Sequence, residues 1–182
     1  MENSIIIGGF GGQGILFFGK ILTFAGMIEG KEVTWFPSYG AEMRGGTANC
    51  TVIISDELIG SPVITSPDSL IVMSDASLKK FLPKVKQNGR VFFDSTLINP
   101  EEFRTDIEAV GIPATGIANK IGGTKSANMV MTGAFVAKTG LLHKPSLIKA
   151  LESSMPESRK KMIDINKKAM FEGIKFIEDA KS

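Results

Sequence analysis

Residue types that build metal and redox sites are scarce in this sequence. Its 182 residues include one cysteine, one histidine, one tryptophan and one tyrosine. The single cysteine, Cys50, excludes a disulfide within the chain and a zinc or iron–sulfur site built from the chain's own cysteines. Cys50 lies in a β-rich apolar stretch, so we expect a core side chain rather than a reactive thiol. Low cysteine content also favours a reducing compartment, the cytoplasm.

Strong charge of one sign and long apolar runs are absent as well. The formal net charge is +2, so we expect no nucleic-acid partner. No apolar run approaches the roughly 18 residues that span a bilayer, and the first residues lack the basic and apolar regions of a signal peptide. We therefore expect a globular cytoplasmic protein without a membrane segment.

What the chain does contain is an alternation of strand and helix patterns. Strands are predicted at 4–7, 32–36, 47–54, 69–73, 90–94 and 107–110, and helices at 15–27, 77–85, 127–138, 145–152 and 158–179. Segment 114–121 is predicted as a helix or an irregular segment. This alternation predicts an open, mostly parallel α/β sheet with helices on both faces, a Rossmann-like three-layer sandwich. A hairpin of 47–54 with Leu58 and Ile59 would make the sheet mixed. Pro37 is expected to end the second strand. We expect residues 1–182 to form a single domain.

A glycine loop stands between the first predicted strand and the first helix. Residues 9–14 read GFGGQG, which satisfies G-x-G-x-x-G. Glycines allow a tight turn there, and a helix N-terminus offers free N–H groups to an anion. An NAD-binding fold also needs an acidic residue at the end of its second strand, where this chain has Phe36 and Pro37, and no Gly-Lys-Ser/Thr completes a P-loop. Phosphate binding and close packing of strand and helix both stay open for this loop.

A second group of polar residues follows the second predicted strand. Segment 37–46 reads PSYGAEMRGG and holds the only tyrosine of the chain, a carboxylate, an arginine and three glycines. It should lie at the same sheet edge as the glycine loop, where α/β folds bind ligands. Arg44 is suited to a bidentate contact with a phosphate or carboxylate, and Glu42 to holding Arg44 or pairing with a partner subunit. A surface turn with an incidental Glu/Arg pair is the alternative.

Together the two segments resemble the gamma subunit of 2-oxoacid:ferredoxin (or acceptor) oxidoreductases. The matching stretches are 9–14, 38–40 with 42–46, 52–56 with Ile59, 67–68, 112–115, 127–129 and Gly133. The two segments are specific in this order, whereas each alone is a weak signal. Ala41 stands where many members carry proline, and Gly122-Gly123 replaces a stretch that often carries asparagine, so no role is assigned there.

The resemblance implies the activity of a larger complex. Members oxidatively decarboxylate a 2-oxoacid with coenzyme A, giving an acyl-CoA and carbon dioxide, and pass the electrons to ferredoxin or a similar carrier. The complex is expected to use thiamine diphosphate, Mg²⁺ and iron–sulfur clusters. This chain is expected to hold none of them alone, because it has no Gly-Asp-Gly element and one cysteine. We expect 2-oxoglutarate as the substrate, with pyruvate, branched-chain oxoacids and indolepyruvate as rivals.

The resemblance assigns this chain no catalytic residue and no metal ligand. It implies a subunit that packs on the catalytic subunits, with both segments near the coenzyme A entrance. For Gln13, contact with a neighbouring loop is the alternative to ligand contact, and for Asn128 it is capping of the helix that it opens. Two other functions stay open, a stand-alone dinucleotide- or flavin-binding reductase and a purely structural assembly subunit. The residues expected to contact the cofactor are Gly9, Gly11, Gly12, Gln13, Gly14, Ser38, Tyr39, Gly40, Glu42, Arg44, Gly45 and Asn128.

Overall fold

The framework of the protein is a six-stranded sheet, seen in a computed structural model that describes residues 2–38, 47–100, 102–155, 158 and 160–180. The strands are β1 Glu2–Phe10, β2 Glu32–Ser38, β3 Thr47–Ser55, β4 Ser69–Val72, β5 Arg90–Asp94 and β6 Glu108–Ile112. Their order across the sheet is β2-β3-β1-β4-β5-β6. Strands β1, β4, β5 and β6 are parallel, and β3 is antiparallel to both β1 and β2. The predicted α/β class is confirmed, with a mixed sheet.

Helices cover both faces of this sheet, as predicted. They are α1 Ile15–Ile28, α2 Asp75–Phe81, α3 Ala114–Lys120, α4 Ala127–Thr139, α5 Lys144–Ser154 and α6 Lys160–Asp179, with a 3-10 turn at Leu82–Lys84. Helix α2 and the 3-10 turn pack on one face, and the other five helices build the core on the opposite face. Among the described residues, no helix is long and apolar enough to cross a membrane.

The two cores follow from the alternation of side chains along the strands. In β1, Ile5 and Ile7 face the larger core beside α1, whereas Ile6 faces α2. Helix α4 is buried on all sides from Ala127 to Val136, because it lies between the sheet and α6. On its sheet side, Phe135 meets Phe92 of β5 edge to face, with ring centroids 5.0 Å apart.

Two local expectations are wrong. Pro37 does not end β2, which continues to Ser38 opposite Asn49 of β3. The reason is that β2 is an edge strand, where a residue without an N–H is tolerated. Leu58 and Ile59 form no strand. The sheet is mixed for a different reason, because β3 lies antiparallel between β1 and β2.

A carboxylate ties the start of β1 to the start of β4. Asp68 accepts hydrogen bonds from the N–H and the hydroxyl of Ser4 at 2.8 and 2.6 Å, and from Lys86 Nζ at 2.7 Å. Partial burial raises the pKa of Asp68, but the hydrogen bonds from Lys86 and Ser4 outweigh it, so the pKa lies below its usual value.

We expect Asp68→Asn to lower the free energy of unfolding by about 1 kcal/mol at pH 7. Because the pKa is lower in the folded state, this contribution is present above the ordinary Asp pKa of about 3.9 and is lost as the pH falls through the folded value. Denaturant unfolding of both proteins at pH 7 and at about pH 3 measures it. The exposed Asp179→Asn is the control. A difference from wild type that is equal at both pH values would contradict the expectation.

Candidate functional site

The glycine loop joins β1 to α1 at the carboxyl end of the parallel strands. Gly12 and Gly14 have φ values of +97° and +73°, which favour glycine, and the N–H of Gln13 donates to the carbonyl of Phe10 at 3.2 Å. Gly14 is the N-cap of α1, and its carbonyl accepts the first helical hydrogen bond from Phe18 at 2.9 Å. The first N–H groups of a helix have no partner within it. The loop therefore presents backbone donors suited to an anion.

The side chain of Gln13 bridges the loop to the neighbouring parallel strand. Its Oε1 accepts from the N–H of Phe10 at 2.6 Å, and its Nε2 donates to the carbonyl of Met73, just after β4, at 2.8 Å. The crossover helices change face between β1 and β4, and at such a switch point open α/β sheets bind ligands. Of the two predicted roles of Gln13, contact with a neighbouring segment is present, and ligand contact stays a prediction.

The base of the loop is packed and its tip is open. A Cβ on Gly9 would lie 2.6 Å from Gln13 Oε1, and a Cβ on Gly14 would collide with Asn128 Nδ2. A Cβ on Gly12 would have no atom of the described residues within 4 Å. Gly11 belongs to the same turn as Gly12. The glycines at the base are thus explained by packing, whereas Gly12 leaves space that a ligand can use.

Asn128 links the starts of two helices. It is 4% exposed, and its Nδ2 donates to the carbonyl of Gly14 at 3.1 Å. Its Oδ1 accepts from the N–H of Met129 at 3.0 Å. Helix α4 begins before Asn128, at Ala127, and its N-cap is Ser126. The expected capping role is therefore replaced by a tie between the first turn of α4 and the N-cap of α1.

A cavity lies beside Asn128, at a loop for which the sequence predicts no role. Its volume is about 440 Å³, and its walls include Gly14, Phe17, Gly122, Lys125, Asn128 and Asn166. The polar wall is fixed internally, because Ser126 Oγ donates to Asn166 Oδ1 at 2.7 Å. The run of two glycines, Thr124, Lys125 and Ser126 just before α4 is the signal that marks this loop in the sequence.

Ser38 of the second predicted segment and Thr47, the residue that follows the segment, lie at the same end of the sheet as the glycine loop. Ser38, the last residue of β2, pairs with Asn49, which itself pairs with Gly8. Thr47, the first residue of β3, pairs with Phe10. Ser38 and Thr47 therefore lie at the predicted sheet edge. The roles of five residues stay predictions because they lie outside the described residues, namely Tyr39, Gly40, Glu42, Arg44 and Gly45.

The strand order argues against a Rossmann-type dinucleotide site. There the second strand lies beside the first and supplies the acidic residue for the ribose, but here β3 separates β2 from β1. Cys50 is fully buried as predicted, and burial raises the pKa of its thiol to about 12, which leaves it protonated at neutral pH. Within the described ranges, no group of three or more His, Cys, Asp or Glu side chains is placed to hold a metal ion.

Known proteins resemble the chain over nearly its whole length. The family described as pyruvate ferredoxin/flavodoxin oxidoreductase matches residues 4–176. Ketoisovalerate oxidoreductase subunit VorA of Methanothermobacter thermautotrophicus is 37% identical over 180 residues, which are 98% of this chain and 37% of VorA. The chain thus spans little more than a third of that relative. The 2-oxoglutarate synthase subunit KorC of Methanocaldococcus jannaschii is 37% identical over 160 residues, 86% of each chain.

A solved structure shares the fold. The gamma subunit of a keto/oxoacid ferredoxin oxidoreductase from Geobacter sulfurreducens has a TM-score of 0.82 and 30% identity, covering 96% of this chain and 95% of that one. Family match, relatives and fold agree over the strands and helices that carry the glycine loop. The chain therefore belongs to the pyruvate ferredoxin/flavodoxin oxidoreductase family, in which it corresponds to the gamma-type subunit.

Proposed function

We propose that this chain is the gamma subunit of a thiamine-diphosphate-dependent 2-oxoacid:ferredoxin (acceptor) oxidoreductase of the cytoplasm. The complex converts a 2-oxoacid and coenzyme A to an acyl-CoA and carbon dioxide, and ferredoxin or a similar carrier takes the electrons. The chain contributes one domain that packs on the catalytic subunits and is not active alone. VorA is longer than this chain, which matches 37% of it. This difference in length supports a gamma-type unit that functions together with further polypeptide.

The residues of this chain do not fit the redox cofactors of such a complex. Cys50 is the only cysteine of the sequence and lies in the core with no exposed surface, so it is no cluster ligand. The iron–sulfur clusters therefore belong to the partner subunits in this proposal, and so do thiamine diphosphate and Mg²⁺, because the sequence has no Gly-Asp-Gly element. This chain contributes instead the backbone N–H groups of the glycine loop and of the first turn of α1.

The open tip of the glycine loop is the observation that carries the proposed role at the coenzyme A entrance. The space around Gly12 and the donors of the first α1 turn suit a phosphate-bearing molecule. A hollow of about 310 Å³ lies beside the tip and is lined by Phe10, Phe17 and Ala48 among others, which suits an apolar portion of the same molecule. Ser38 pairs with Asn49 at this edge, and Arg44 follows Ser38 by six residues in the sequence.

The proposed substrate is 2-oxoglutarate. Its support is the KorC relative, a 2-oxoglutarate synthase subunit by name, which matches this chain over 86% of both lengths. VorA is equally identical at 37%, so branched-chain oxoacids are the first alternative. Pyruvate and indolepyruvate follow.

Purification of the tagged chain from its own cells under native conditions tests the proposal. Mass spectrometry should identify co-purifying subunits, and the absorbance spectrum should show iron–sulfur clusters. Coenzyme A-dependent oxidation of the four candidate oxoacids then identifies the substrate. A colourless chain without partners that binds a dinucleotide or a flavin would refute the proposal.

Arg44 is the residue whose loss should weaken coenzyme A binding most. We expect Arg44→Ala in the assembled complex to raise the KM for coenzyme A about 10- to 100-fold, the range for losing a hydrogen bond to a charged group. Arg44→Lys should recover part of the loss, because it restores the charge without the planar fork. Arg90→Ala is the control, since Arg90 is exposed and pairs with Glu108 at the opposite end of the sheet. An unchanged KM in Arg44→Ala would favour a purely structural subunit.

A further inference from the structure

Two amide side chains hold the glycine loop from two different elements. Gln13 ties it to the segment after β4, and Asn128 ties it to the first turn of α4. Each amide already uses its oxygen and its nitrogen in hydrogen bonds to the backbone, at distances between 2.6 and 3.1 Å. Neither amide stands at the open tip, because they fill the space next to Gly9 and Gly14.

We propose that Gln13 and Asn128 are positioning residues, which act on the ligand through the backbone of the glycine loop and do not touch it. The inference rests on the proposed role of the loop at the coenzyme A entrance. It assigns the contact with the ligand to the tip around Gly12 and to the first N–H groups of α1. The two amides fix the direction in which those groups point.

The composition of the loop explains why such bracing matters. Four of its six residues, from Gly9 to Gly14, are glycine, and glycine loses the most conformational freedom when it is ordered. A loop that orders only on binding would weaken the affinity by that entropy, whereas a loop ordered in advance would not. Gly14 illustrates the arrangement, because its carbonyl accepts both the first α1 hydrogen bond and the amide of Asn128.

The test uses Gln13→Glu and Asn128→Asp in the complex with its partner subunits. Each change keeps the length and one acceptor of the side chain. It also places a carboxylate oxygen against a backbone carbonyl, that of Met73 or that of Gly14. The matched control is Asn88→Asp in the exposed turn that precedes β5, at the other end of the sheet. If Gln13→Glu does not assemble, Gln13→Met removes both hydrogen bonds without adding charge.

Two measurements on these variants separate bracing from direct contact. Without coenzyme A, amide hydrogen exchange in residues 10–14 should become about tenfold faster, because the carbonyls of Met73 and Gly14 lose their amide donors and the loop then opens more often. The KM for coenzyme A should rise about tenfold while kcat at saturation changes little. In the double variant the KM should rise by less than the product of the single effects, since both amides act through one loop.

Three results would overturn the proposal. A raised KM with unchanged exchange in the absence of coenzyme A would mean that the amides contact the ligand directly. If the rises in KM of the two single variants multiply in the double variant, the amides act independently of each other and not through one shared loop. Faster exchange with an unchanged KM would refute the proposed coenzyme A role of the loop and leave the two amides as structural ties, so the two proposals fail by different signatures.

Discussion

Gly173→Ala should lower the free energy of unfolding by about 3 kcal/mol, the upper end of the usual range for overpacking a core. A Cβ on Gly173 of α6 would fall on the backbone carbonyl of Val130 in α4, far inside van der Waals contact. Gly133 of α4 has the same relation to the carbonyl of Met170 in α6. Backbone atoms cannot move aside as a side chain can, so the two helices must separate. The higher helix propensity of alanine raises the free energy of unfolding by only about 1 kcal/mol, which does not offset this loss.

Denaturant unfolding of the isolated variants measures this effect, with Gly60→Ala as the control. Gly60 is exposed, and a Cβ there would have no described atom within 4 Å. Gly133→Ala should match Gly173→Ala, and the double variant should lose less than the sum, because the first substitution already separates the helices. Full stability of either single variant would show that α4 and α6 do not depend on this close approach.

Asp94→Ala should cost about 3 kcal/mol of the free energy of unfolding. The Asp94 side chain is completely buried at the end of β5. Its carboxylate accepts hydrogen bonds from the N–H of Thr96 and the N–H of Thr115, both at 3.1 Å, and from the hydroxyl of Thr115. Alanine removes the shared acceptor of these part-buried donors, and hydrogen bonds to a charged group contribute more to stability than neutral ones.

Asp94→Asn separates the contribution of the hydrogen bonds to the free energy of unfolding from the contribution of side-chain volume. It keeps the shape, but its NH₂ group faces a donor of Thr115 or Thr96, so we expect a loss of about 2 kcal/mol. Asp179→Ala, at the exposed end of α6, is the control and should change the stability little. Thermal unfolding followed by circular dichroism is sufficient to rank the three variants. An Asp94→Asn protein as stable as wild type would contradict the assigned role of the carboxylate.

The strands and helices were predictable from the sequence wherever a local pattern decides them. The strand β5 and the helix α4 appear close to their predicted bounds, because buried runs and helical periodicity are local signals. Strand β1 is present as predicted but extends from Glu2 to Phe10, beyond the predicted 4–7 and into the glycine loop. The position of β3 was not predictable in this way. Its antiparallel position between β1 and β2 depends on pairing between distant parts of the sequence. The hairpin predicted locally with Leu58 and Ile59 does not form, because these two residues are not in a strand.

The candidate site shows the same division between local and long-range information. The turn at Gly12 and Gly14 follows from glycine chemistry and was predictable. The two contacts that fix the loop span 60 and 114 residues, from Gln13 to Met73 and from Asn128 to Gly14. No local pattern encodes such a pair. Glycine at position 14 is explained only when Asn128 is seen in the space that a Cβ would occupy.

The insertion of β3 has a consequence for the order in which the protein assembles. On one side, β1 pairs with β3, which follows β2 in the sequence, so this pairing spans the whole of α1 and β2. Strands β2 and β3 are consecutive in the sequence and pair with each other along Glu32–Ser38. We expect β2 and β3 to form first as a local pair and then to dock on β1 as a unit, because short-range pairing loses less chain entropy. The edge that unites Ser38, Thr47 and the glycine loop would then be completed in this docking step.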